Sequence, residues 1–158
     1  MKKWFFLAII AGLAFLQLIW PGWLTFFYCK PDLLLALAAA LVFYLDFKIA
    51  LVFAVLAGLA KDAFLIEPFA LNTILFSLWS YAIYILSRQI STENTYIRVA
   101  IVLIAAFLNN MITGILIVNS GSIIPPGIFL RNLIISSVYT AVLSPLIFKL
   151  AKKIASQS

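Results

Sequence analysis

Lys61 and Asp62 are adjacent charges inside an otherwise apolar run, Ile49 to Ile66, and Arg131 opens another such run. A charge in hydrocarbon is costly, so it marks a structural ion pair or a functional group. Lys61 can reach outward on its long stem, whereas a carboxylate has little reach and needs a partner. If both runs are helices, Asp62 lies about 6 Å below the outer end of its own, with Arg131 at about the same depth. The expectation is an intramembrane pair of Asp62 with Arg131. Such a pair either locks two helices or belongs to a ligand or partner site, and the residue types alone serve both.

Other chemistry is harder to build. The chain has no histidine and one cysteine, Cys29. This excludes a disulfide within the chain, zinc sites of the usual Cys/His kind, and serine–histidine or cysteine–histidine nucleophiles. Cys29 reads as an apolar filler near a membrane interface. There is no acid cluster for Mg²⁺ and no Gly-rich phosphate loop, and the only carboxylates at one depth are Asp32 and Asp62. No catalytic residue, metal or cofactor is expected.

A second group of polar residues recurs near the middle of the apolar runs. Ser77 and Ser80 fall in one run, Asn109, Asn110, Thr113 and Gly114 in the next, and Ser136, Ser137 and Thr140 in the last. Asn109 with Thr113, and Asn110 with Gly114, share helix faces. In hydrocarbon such groups pair, each interhelical bond contributing about 1 kcal/mol. Interhelical bonding and a solute pocket are the two readings. Small residues at four-residue spacing (Ala50, Ala54 and Gly58; Ala36 and Ala40; Ala8 and Gly12) let backbones approach closely, within the chain or against another membrane protein.

The elements that must position these residues follow from composition. The chain is 66% hydrophobic and 10% charged, with a mean hydropathy of +1.18. Soluble domains are about half apolar and a quarter charged. The expected fold is an all-α membrane protein, one domain over 1–158, built as a compact bundle of six transmembrane helices. The runs fall at about 4–20, 32–45, 49–66, 70–87, 99–118 and 128–148. The first resembles a signal peptide, but Gln17 to Pro21 offers no small residues for cleavage, so a retained helix is expected. Pro31 and Asp32 suit the first turn of the second helix. That helix is short for a crossing, and with the third it reads as a tight hairpin through Asp46-Phe47-Lys48.

Charge sets the orientation. With both termini inside, Lys2, Lys3, Lys48, Arg88, Arg98, Lys149, Lys152 and Lys153 fall on the cytoplasmic side. Lys30, Lys61 and Arg131 fall outside. The basic residues are scattered over loop ends rather than gathered on one face, so they orient the chain and meet anionic lipid; nucleic acid is not an expected partner.

Between Lys30 and Ile90 the sequence resembles the rod shape-determining protein MreD family. The resemblance rests on Pro31-Asp32 opening a leucine-rich helix, the short hairpin, Gly58-Leu59-x-x-Asp62, Pro68, Leu71-Asn72 and a helix ending in Arg88. It departs at Lys61 and at Phe69-Ala70. The resemblance implies a non-catalytic scaffold or regulator of cell elongation and lateral peptidoglycan synthesis in the bacterial cytoplasmic membrane. The implied partners are an MreC-like protein and, through it, MreB, RodA and a penicillin-binding transpeptidase. The family is similar in architecture to the substrate-binding subunits of energy-coupling-factor vitamin transporters. That gives a second reading, with a solute pocket near the outer face formed by Trp20, Trp23, Tyr28 and Asn72.

Overall fold

The stretch LLLALAAALVFY offers no polar face, and a helix that is apolar all round belongs in a core. The computed structural model, which describes residues 3–25, 27–64 and 70–156, places it there. The described residues are all-α: α1 (Lys3–Leu18), α2 (Leu33–Tyr44), α3 (Phe47–Asp62), α4 (Leu71–Gln89), α5 (Thr95–Asn119) and α6 (Pro126–Ala155), with a 3-10 turn at Gly22–Leu24. Helix α2 is the axis of the bundle. Every residue from Leu33 to Val42 is buried, and α2 packs against each of the other five helices.

Asp32 starts α2 by accepting a hydrogen bond from Leu35 N at 3.1 Å, satisfying one of the amides a helix leaves unpaired. Leu45 and Asp46 then turn the chain straight into α3, giving the expected hairpin. The seam is made of small residues, with Ala36, Ala40, Ala50 and Ala54 all fully buried. These stripes are consumed inside the chain. On α1 the opposite holds: Ala8 and Gly12 are exposed, and nothing stands within 4 Å of where a Cβ on Gly12 would lie.

Helix lengths differ from the expected spans. Helix α3 stops at Asp62 rather than near residue 66, and α5 and α6 begin earlier, at Thr95 and Pro126. At 1.5 Å per residue, α2 is about 18 Å long against about 38 Å for α5 and about 45 Å for α6. Among the described residues two helical stretches, Thr95–Asn119 and Pro126–Lys153, are long and apolar enough to cross a membrane. Pro145 within α6 cannot donate to the carbonyl of Ala141; the Ser144 hydroxyl donates to it instead at 2.7 Å.

The chain between α1 and α2 is held by α6. Tyr139 donates through its hydroxyl to Leu24 O at 2.8 Å. Ser136 Oγ donates to Lys30 O at 2.8 Å, and Asp32 N donates to Thr140 Oγ1 at 2.9 Å. From Lys30 to Asp32 this backbone runs down α6 from Ser136 to Thr140, its polar groups met by side chains rather than by a ladder. This run sets the level at which α2 begins.

Candidate functional site

The buried charges gather where three helix ends meet: the start of α2, the end of α3 and the start of α4. Asp32 and Asp62 are 5% and 4% exposed, and each organises a helix N-terminus. Asp32 caps its own helix through Oδ1 and takes the Lys61 ammonium on Oδ2. The Lys61 Nζ also lies 5.2 Å from the centre of the Phe76 ring.

Asp62 caps the next helix. Its Oδ1 accepts from Asn72 N at 3.0 Å and from Asn72 Nδ2 at 2.8 Å. Its Oδ2 accepts from Thr73 N at 2.8 Å and Thr73 Oγ1 at 2.6 Å. Helix α4 needs this help, because Ala70, the residue before it, provides no side-chain cap and has a left-handed backbone, φ 63°. Gly58, one turn before Asp62, makes the approach possible: a Cβ there would stand 2.4 Å from Thr73 Cα. Gly58, Asp62 and Asn72 of the family-like motif thus form one joint between α3 and α4. Pro68 lies outside the described residues.

The expected pairing of Asp62 with Arg131 is corrected. Asp62 spends both oxygens on α4, and Arg131 is exposed. Asp32, which pairs with Lys61, lies level with Thr140, nine residues and about 13 Å along α6 from Arg131. Helix α3 ends earlier and α6 begins earlier than the apolar runs imply, so the two charges are not level. Lys61 does not reach outward but folds onto Asp32.

The polar layer is divided. Asn109 Oδ1 accepts from Trp79 Nε1 at 3.3 Å, joining α5 to α4. Asn110 Nδ2 donates to Ser137 Oγ at 3.1 Å, joining α5 to α6. Ser77 bonds within its own helix, to Thr73 O. Thr113 Oγ1 and Ser80 Oγ are buried and find no partner among the described residues. Asn109 and Asn110 thus join helices, while Asn110, Thr113 and Gly114 also line a cavity of about 290 Å³ with Asn132 and Phe129. Three contributors lie outside the sequence expectation: Thr73, Trp79 and the capping role of Asp62. Thr73 follows Asn72 at a helix start, a signal that was there to use, whereas a cap reaching across from a preceding helix leaves no local spacing.

Beside this cluster a cleft of about 200 Å³ opens between α1, α2 and α3, lined among others by Gln17, Lys30, Leu34 and Lys61. Gln17 Oε1 in the last turn of α1 and Trp20 Nε1 just after it are buried without a partner among the described residues. Among the described residues no three metal-ligating side chains converge. The arrangement ties helix ends together and commits both carboxylates to that task.

These features define an all-helical protein with membrane-length apolar helices around a short buried one. The model of the rod shape-determining protein MreD family matches residues 1–154 of this 158-residue chain, and the chain belongs to that family. No curated protein and no solved structure matches it. Membership points to a role in determining rod cell shape.

Proposed function

We propose that the chain is a non-catalytic scaffold or regulator of the bacterial cell-elongation complex, supporting lateral peptidoglycan synthesis. Its partners are an MreC-like protein and, through it, MreB, RodA and a penicillin-binding transpeptidase. The observation that carries this reading is the family match over essentially the whole chain. The buried charges are in keeping with it: Asp32 and Asp62 are saturated by helix amides and Lys61, which suits a structural role better than proton transfer.

In this reading all six helices belong to the cytoplasmic membrane, with both termini inside. Helix α2 is too short to cross, and the non-helical run before it supplies the missing depth. Irregular backbone is tolerated there because α6 side chains satisfy it. The open small-residue face of α1, Ala8 and Gly12, suits close lateral approach by a partner helix.

Purification of the tagged chain from native membranes tests the proposal. The elongation proteins should co-purify, and depletion should round rod-shaped cells. Recovery of energy-coupling transporter ATPases with normal cell shape after depletion would overturn it in favour of solute uptake.

A further inference from the structure

At the opposite end of the bundle from the carboxylate joint lies a second, differently built cavity, of about 480 Å³. Its walls include Tyr44 at the end of α2, Arg98 in the first turns of α5, and Pro145, Phe148, Lys149 and Lys152 on α6; Glu93 is the one acid. Arg98 is fixed in place. Its Nη1 donates to Tyr44 Oη at 2.6 Å, its Nε donates to Thr92 O, and its guanidinium lies 5.0 Å from the Tyr44 ring centre. Lys149 and Lys152 are exposed, one turn apart on one face of α6. Neither has an ion pair with a described residue. Three cations thus face one carboxylate across an open cavity, and Arg98, anchored through Nε and Nη1, keeps its Nη2 donors for an anion.

We propose that this cavity binds the phosphodiester headgroup of an anionic phospholipid. The cations give the charge, and α6 gives the reason for a lipid rather than a soluble anion. Val142 and Leu146 lie one to two turns before Lys149 and are 66% and 58% exposed. An acyl chain can follow this apolar strip while its phosphate sits among Arg98, Lys149 and Lys152. Basic pockets between membrane helices at the headgroup level recognise anionic lipids in this way. The proposal rests on the membrane reading of the chain and not on its partners.

The test is native mass spectrometry and thermal unfolding of the full chain in neutral detergent. Phosphatidylglycerol, cardiolipin, phosphatidylcholine or inorganic phosphate is added in separate arms. The anionic lipids should remain bound and raise the unfolding temperature, with phosphatidylcholine and inorganic phosphate doing neither. Lys149→Gln with Lys152→Gln should weaken anionic-lipid binding at least tenfold. Lys48→Gln, a basic residue outside the cavity, should leave it within about twofold. Arg98→Lys, which keeps the charge but loses the anchored guanidinium, should weaken it as well. Equal binding of phosphatidylcholine, equal stabilisation by inorganic phosphate, or equal losses from Lys48→Gln and the double variant would each overturn the proposal.

Discussion

One oxygen of Asp62 holds Thr73 twice, through the backbone amide at 2.8 Å and the hydroxyl at 2.6 Å. A residue closing α3 therefore acts as the N-terminal cap of α4. The link joins the two helices and fixes where α4 begins. It also explains why α3 and α4 approach so closely at Gly58.

Asp62→Ala should be among the most destabilising single changes in the chain. It removes an acceptor of four hydrogen bonds and leaves the buried amide of Asn72 and the half-buried amide of Thr73 without it. A cap is worth about 1 kcal/mol and bonds to a charged group about twice a neutral one, so a loss of about 3 kcal/mol is expected. Asp62→Asn keeps one acceptor oxygen and should lose roughly half as much. Unfolding in detergent, followed by heat, measures both. Equal stability of Asp62→Ala and the native chain would remove the cap from the account.

Gly58→Ala should destabilise where Gly12→Ala does not. At Gly58 the new methyl meets backbone, 2.4 Å from Thr73 Cα and 2.7 Å from Thr73 N, and neither atom can swing aside. The α3–α4 joint must then open, at a cost of about 2 kcal/mol. At Gly12 the site is open, and alanine is the better helix former by about 1 kcal/mol. The same measurement on both variants compares them directly. Loss of stability at Gly12 alone would reverse the assignment of the two faces.

The sequence carried the helices better than their ends, and the site suffered for it. The apolar runs around α2 and the breaks at Pro31 and Asp46 are strong local signals, and the helices form where they fall. Depth in the membrane depends on those ends, however. A shift of two residues at the start of α6 and four at the end of α3 is enough to align Asp62 with the wrong partner. The Lys61–Asp32 pair was illegible for another reason. It depends on the non-helical descent along Ser136 and Thr140, which no periodicity encodes. Asn109 and Asn110 were legible as polar groups needing partners, but not that Trp79 would supply one of them.

Charge coupling should appear between Asp32 and Lys61 and be absent between Asp62 and Arg131. Lys61→Met leaves the Asp32 carboxylate buried without its cation, a loss of about 2 kcal/mol or more. Asp32→Asn keeps the helix cap and loses only the charge. The double variant Asp32→Asn with Lys61→Met should be more stable than the sum of the single losses by at least about 1 kcal/mol. Arg131→Gln, at an exposed position, should change stability by no more than about 0.5 kcal/mol and add independently to any change at Asp62. A cycle showing strong Asp62–Arg131 coupling would reinstate the ion pair expected from the sequence.

The two asparagines of α5 should respond to substitution as helix-binding groups. Asn110→Val breaks the bond to Ser137 Oγ, and Ser137→Ala removes the same bond from the other side. Each should cost about 1 kcal/mol, and the pair together little more than either alone, because the bond can be lost only once. Asn109→Val goes further. It leaves Trp79 Nε1 without its acceptor at a position where Asn109 is 1% exposed, so the orphaned donor adds to the lost bond. These effects belong to the isolated chain and need no added solute. If the residues instead lined a solute pocket, their variants would keep the unfolding temperature of the free chain and lose only its rise on adding the solute. Thermal unfolding in detergent without any ligand therefore separates the two roles, and a decrease for Asn109→Val larger than that for Asn110→Val is the outcome the bonding pattern requires.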